Sequence, residues 1–371
     1  MVRRYGGKMK SITEIDKNLA VKTSIEREGL YFYDAEQAPF QIYGIFKENG
    51  MFRRIPEEIA KSVSEGIYNL HTFTAGGRVC FVTDSPYVAI KTEYIPIKMA
   101  HFALSGSCGF DMYSQNDGLS RYEGTFVPPY NVENDYESIL DFEKCHERVI
   151  TINFPLYSSV RKLYIGLQEG SILKPAPRYR VEKPVVYYGS SITQGGCASR
   201  PGCSYQSILS RWFDCNYINL GFSGSAKGED EIVDYIKRLD MSVFVMDYDY
   251  NAPSAEHLEK THSRMFQRIR AAQPKLPILI MTRPKYYLTK IEEIHKEIIQ
   301  NTYLSAKEQG DENVYFLDGR KLMEVVGDNG TVDNCHPTDS GFFSMACAIG
   351  QVLEGIFESG LKMPCDGSKR T

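Results

Sequence analysis

From Val185 onward, short apolar runs alternate with longer stretches at helical spacing, and this alternation constrains the fold more than any other feature of the chain. The apolar runs fall at residues 185–188, 217–220, 243–247, 278–282 and 314–317. Each is too short for a helix and too uniformly apolar for a strand with one wet face, which is the signature of strands buried on both sides. Helices are expected over 257–272 and 291–307, and a last one places Phe342, Ala346, Ile349, Leu353 and Ile356 on one face at 3.6-residue spacing. Strands alternating with helices imply a parallel sheet covered on both faces, a three-layer α/β/α domain.

The first half reads differently. Between about residues 28 and 168, short extended runs rich in Tyr, Phe and Val are separated by turn residues, with strands expected at 40–46, 78–83, 87–94, 100–104 and 149–154. An antiparallel, jelly-roll-like β-sandwich is the economical architecture. The segment 171–184, SILKPAPRYRVEKP, carries three prolines that break helix and ladder alike, so it is the expected linker. The expected domains are therefore 1–175, the sandwich, and 176–371, the α/β/α unit. A chain of 371 residues is long enough for both to bury a core.

Charge and cysteine content narrow the partners. The 43 basic and 47 acidic side chains are mixed along the chain, so no basic stripe marks a nucleic-acid or membrane surface, and a small neutral substrate fits best. The N-terminal twenty residues have no apolar stretch of signal-peptide or membrane-span length. Nine cysteines without a CxxC pair argue for reduced thiols, against a disulfide framework and against a structural zinc site. A Cys197–Cys203 bridge would require export. The expectation is a soluble cytoplasmic protein; the oligomeric state stays open, a homo-oligomer included.

In an open α/β sheet, ligands collect beyond the carboxyl ends of the strands, so the residues following each strand carry the chemistry. After the first comes Gly189-Ser190-Ser191, with Ser191 expected to start a helical turn whose N–H groups are unpaired. After the second, Gly221-Phe222-Ser223-Gly224 offers a backbone N–H that a substrate oxygen can approach closely. After the third, Asn251 offers an amide NH₂ for the same oxygen. Asp333 and His336 sit three residues apart just before the last helix, a spacing that lets one loop present both carboxylate and imidazole. A serine hydroxyl is a poor nucleophile until a base removes its proton as it attacks, and the oxyanion that develops needs fixed donors.

Taken singly, each residue has a plainer reading. A Gly-Ser turn usually serves geometry, Asp333 can simply end a turn, and His336 can be a capping or core histidine. Neither a Gly-Lys-Ser/Thr nor a GxGxxG spacing follows the first strand, so a nucleotide loop is excluded. Arg283 can bind substrate or pair with a carboxylate. Cys335 reads as a small packing residue and Trp212 as a core residue. The tyrosines of the first half either fill sheet faces or stack on sugar rings.

The four blocks, in this order, resemble the SGNH hydrolase superfamily, also called GDSL-like esterases. The resemblance covers the whole second half and assigns Ser191 as nucleophile, Asp333 and His336 as its DxxH pair, and the N–H groups of Ser191 and Gly224 with the Asn251 side chain as oxyanion hole. Tyr188 to Gly202 is similar to a subgroup whose first domain bears a GxDLY-like motif, here Gly109-Phe110-Asp111-Met112-Tyr113 with methionine for leucine. The family's GDS becomes Gly189-Ser190-Ser191, and the asparagine block lacks the usual GxND. What the resemblance implies is a flavodoxin-like catalytic domain that uses no metal or organic cofactor, preceded by a β-sandwich. It also implies hydrolysis of short acyl esters, acetyl above all, carried by a small acylated substrate such as a sugar or oligosaccharide. An acyltransferase using the same triad and an inert carbohydrate-binding protein are the alternatives. Asp111 is left between a hairpin turn and the catalytic cleft.

Overall fold

A computed structural model describes residues 23–116 and 119–358; the N-terminal segment read above for a signal peptide lies outside them. Two antiparallel sheets form the first domain. One runs in the order Leu30–Asp34, Ser159–Gln168, Tyr87–Ile95, Asp135–Asp141. The other runs Leu173–Lys174, Arg78–Thr83, Arg148–Asn153, Phe110–Asn116, Leu119–Phe126, with Gln41–Tyr43 also paired to Arg78–Thr83. The period-2 alternation that sorts a strand's faces is clear in Arg148–Asn153, where Ile150 and Ile152 are fully buried between the sheets while Val149 and Thr151 are partly exposed.

The second domain is a five-stranded parallel sheet. Numbered in chain order, Val181–Gly189, Cys215–Gly221, Val243–Asp247, Ile278–Met281 and Val314–Leu317 lie in the order 2-1-3-4-5, the flavodoxin-like arrangement, whose switch point falls beside the first strand. Val243, Phe244, Val245 and Met246 have no solvent exposure, each contributing about 1.5–3 kcal/mol of burial. Helices Tyr205–Phe213 and Asp339–Phe357 cover one face, while Ala255–Ala272 and Lys290–Glu308 cover the other. The last helix is long and apolar enough to cross a bilayer by composition, at mean hydropathy 1.3, but Phe342, Met345, Ala346, Ile349 and Leu353 are buried in the domain core.

Four expectations for local structure are corrected. The expected strand 40–46 is broken at Gly44, whose φ of +77° turns the chain, leaving Gln41–Tyr43 and a hairpin that begins at Phe46. Residues 100–104 form a turn leading into the short helix Leu104–Ser107: Phe102 packs edge-on against Tyr157 and against His336 of the second domain, while Leu104 packs on the sandwich core. The segment 171–184 is only partly a linker, since Leu173–Lys174 completes the sandwich and the parallel sheet begins at Val181. The first half is also not wholly β. Helices Glu57–Val63 and Glu65–Leu70 put Ala60 and Ile67, with Ile55 before them, into the hydrophobic core of the second domain.

Candidate active site

The first parallel strand ends at Gly189, where a Cβ would lie 2.1 Å from the Asp247 carbonyl oxygen, so only glycine lets the adjacent strand ends come this close. Ser190 then caps a single helical turn, Ser191–Gln194, its hydroxyl accepting from the Ile192 N–H at 3.1 Å. Gly195, at φ +102°, ends that turn. Ser191 is therefore the first residue of a helical turn, with an N–H that has no intrahelical partner.

Residues 333–336 fold around their own carboxylate. Asp333 Oδ1 accepts from the backbone N–H of Cys335 at 3.2 Å and of His336 at 2.8 Å, and Asn334 takes the left-handed conformation that closes the loop. Asp333 Oδ2 lies 2.8 Å from His336 Nδ1, and His336 Nε2 lies 2.9 Å from Ser191 Oγ. Partial burial pushes the Asp333 carboxyl up, but the hydrogen bonds and charge of His336 outweigh it and hold the group below its usual range. The structure thus brings Ser191, His336 and Asp333 into one hydrogen-bonded chain across 145 residues of sequence. Gly196 sits directly beneath: a Cβ there would meet Ser191 O and Tyr157 Oη at 3.0 Å and His336 Cδ2 at 3.2 Å.

Gly224 takes φ +66° with open space where a Cβ would be. Asn251 Nδ2 donates to the Phe222 carbonyl at 2.9 Å, which ties the asparagine loop to the glycine loop and leaves the second amide proton for a ligand. Arg283, left undecided by the sequence, is a structural cation here. It donates to Asp249 Oδ2 from Nε at 3.0 Å and to Glu292 from Nη1 at 3.2 Å, beside His295. Burial pushes Asp249 up, but hydrogen bonds from His295 and Arg283 prevail and bring it down to about 2. This ion cluster anchors residues 249–251.

Sequence reasoning missed three residues that shape the site. Gln194 accepts from Ser223 N at 3.1 Å and donates to Leu156 O at 3.1 Å, so it fixes the glycine loop against the serine turn and the first domain. Arg54, fully buried and pushed down to about 9 by that burial, donates to the Gly221 and Leu70 carbonyls with its guanidinium 4.5 Å from the Phe222 ring centre. Asp247 is pushed up to about 8, chiefly by burial, and accepts from Thr193 Oγ1 at 2.9 Å. No motif spacing marks any of the three.

Asp111 does not reach the serine. Its buried carboxylate accepts from Asn153 Nδ2 and Gly202 N at 2.8 Å and from Arg200 Nη1 at 3.0 Å, so it clamps the loop 197–204 to the sandwich. Trp212 packs half-buried on the core, edge-on to Phe343. None of the eight cysteines among the described residues, Cys197 and Cys203 included, forms a disulfide.

Residues 182–354 match the GDSL-like lipase/acylhydrolase family, and residues 30–173 match the N-terminus of SGNH hydrolase-type esterases. The chain belongs to the SGNH family of GDSL-like hydrolases. This SGNH hydrolase is by family an ester hydrolase of two domains, a β-sandwich followed by an α/β/α unit. Among solved structures it resembles a GDSL-like lipase from Bacteroides ovatus at 24% identity and a TM-score of 0.81, over 90% of this chain and 100% of that one. It also resembles a salicylyl-acyltransferase from a tetracycline biosynthetic pathway, at 17% identity and 0.74, over 91% and 100%. A family two carbohydrate esterase from Cellvibrio japonicus aligns at 11% and 0.56, over 89% and 98%. At these identities the likeness is one of fold. No curated protein matches the SGNH hydrolase in sequence.

Proposed function

We propose that this SGNH hydrolase cleaves short acyl esters of carbohydrates, acetyl esters foremost, through an acyl-enzyme on Ser191. The observation that carries the proposal is the unbroken chain Ser191 Oγ, His336 Nε2, His336 Nδ1, Asp333 Oδ2, with contacts of 2.9 and 2.8 Å. In the first step Ser191 Oγ attacks the ester carbonyl carbon while His336 Nε2 takes its proton and Asp333 stabilises the imidazolium. The oxyanion is held by the N–H groups of Ser191 and Gly224 and by Asn251 Nδ2. The alcohol leaves with the proton from His336. Water, deprotonated by the same imidazole, then releases the acid.

The carbohydrate reading is supported by the neighbours in fold, which include the Cellvibrio esterase and an acetyl xylan esterase from Butyrivibrio proteoclasticus. The fold likeness to the salicylyl-acyltransferase favours a second reading, in which an acceptor hydroxyl replaces water in the second step. Hydrolysis of a short-chain acetyl ester and of peracetylated sugars by wild type and Ser191→Ala, both natively folded, tests the proposal. Activity in wild type alone supports it; activity in both, or in neither, overturns it. Product analysis with sugar acceptors separates hydrolysis from transfer.

A further inference from the structure

Beside the Ser191–His336 pair, the first domain delivers His101 and the serine-side loop delivers Cys197. Ring nitrogens of His101 and His336 and the Cys197 sulfur all lie within 4.8 Å of one another. The two imidazoles are neighbours, with ring centres 5.7 Å apart, and the Cys197 thiol donates to the His101 carbonyl at 3.5 Å. Zinc–nitrogen and zinc–sulfur bonds are about 2.0–2.3 Å, so ligand atoms of one tetrahedral site lie roughly 3–4 Å apart, within a small side-chain adjustment of this arrangement.

Three further features fit a metal. His336 Nδ1 is bonded to Asp333 at 2.8 Å, so a metal would take Nε2, which lies 2.9 Å from Ser191 Oγ, and Asp333 would be the carboxylate that orients the ligating imidazole. His336 Cδ2, bonded to Nε2, faces Gly196, the residue before Cys197. Cys197 itself is held at φ +71°, a backbone conformation that a cysteine adopts at a cost of about 1–3 kcal/mol. Two imidazoles and a thiolate are the donor set that suits Zn²⁺.

We propose that His101, Cys197 and His336 form an inhibitory transition-metal site, with Zn²⁺ as the cation of best fit. On binding, the Cys197 thiol gives its proton to solvent and the thiolate, His101 and His336 Nε2 coordinate the metal, with a fourth position left for water. The lone pair of Nε2 that would accept the Ser191 proton is then committed to the metal, and acyl transfer stops until the metal is withdrawn. The inhibition rests on the reading of His336 as general base; the binding does not.

The test titrates the metal-free full-length protein with Co²⁺ and Zn²⁺, reading the sulfur-to-cobalt charge-transfer absorption and, separately, ester hydrolysis. Expected is one metal per chain, a cobalt–thiolate band, and hydrolysis lost on metal addition and restored by a chelator. Cys197→Ser abolishes the band, and both Cys197→Ser and the exposed-site variant His101→Ala weaken Zn²⁺ binding by at least about 10- to 100-fold while keeping metal-free turnover. A missing band, undiminished Zn²⁺ affinity in these variants, or a band lost in Cys335→Ser but kept in Cys197→Ser would overturn the site. Should the protein bind cobalt through Cys197 yet show no hydrolysis in any state, the metal site stands and the reading of His336 as general base fails.

Discussion

Asp111 sits at the seam between the two domains, and its removal has a calculable cost. The carboxylate is fully buried and accepts three hydrogen bonds, from Asn153, Gly202 and Arg200. In Asp111→Ala the Asn153 amide and the Gly202 N–H become buried donors without acceptors, at about 1–3 kcal/mol each. Arg200 loses its ion pair, but its side chain is 22% exposed and keeps the Tyr113 hydroxyl and the Tyr122 ring, so its share is small. The sum is about 2–6 kcal/mol. Urea unfolding followed by the fluorescence of Trp212, the single tryptophan, reads this loss directly. The folded fraction of the variant should retain ester hydrolysis, because Asp111 touches none of the residues proposed to react. A loss of stability below about 1 kcal/mol, or abolished hydrolysis at unchanged stability, would refute the clamp and return Asp111 to the catalytic cleft.

Other outcomes follow from the same geometry. Asn251→Ala should lower kcat on the order of 10²- to 10³-fold with little change in KM, since an oxyanion donor acts in the transition state; an unchanged kcat in steady-state assays would remove Asn251 from that role. Gly196→Ala should crowd Ser191 O and Tyr157 Oη at 3.0 Å and His336 Cδ2 at 3.2 Å, shifting the nucleophile and its base and cutting kcat, a reading that full activity would defeat. Asp247 titrates at about 8 in the folded chain against an ordinary value of 3.8. The folded state therefore holds a proton that the unfolded state has lost, and stability falls as pH rises from about 4 to about 8. Asp247→Asn should flatten that slope in urea unfolding across the range, and a parallel slope would refute the assignment.

Much of the second domain was legible because burial leaves a direct mark on sequence. The strands Val243–Asp247 and Val314–Leu317 coincide with the apolar runs, and helices Ala255–Ala272 and Lys290–Glu308 extend the expected spans by one or two residues. The placement of Ser191, His336 and Asp333 at strand ends and before the last helix follows from the same pattern. Residues serving the interface between domains were not legible. Ala60 and Ile67 pack into a core built mostly by the other half, and Phe102 reads as a strand residue until its partner His336 is known. Gln194, Arg54 and Asp111 act through carbonyls and amides distant in sequence, and such bonds leave no periodicity to detect.

The central claim is that Ser191 becomes acylated. The most direct measurement is mass spectrometry of peptides from enzyme quenched during turnover of an activated acetyl ester. The account predicts one added acetyl group on the peptide containing Ser191 in wild type, slower disappearance of that group in Asn251→Ala, and none in Ser191→Ala. Turnover with the acetyl group on another residue, or Ser191→Ala turning over at the wild-type rate, would contradict it.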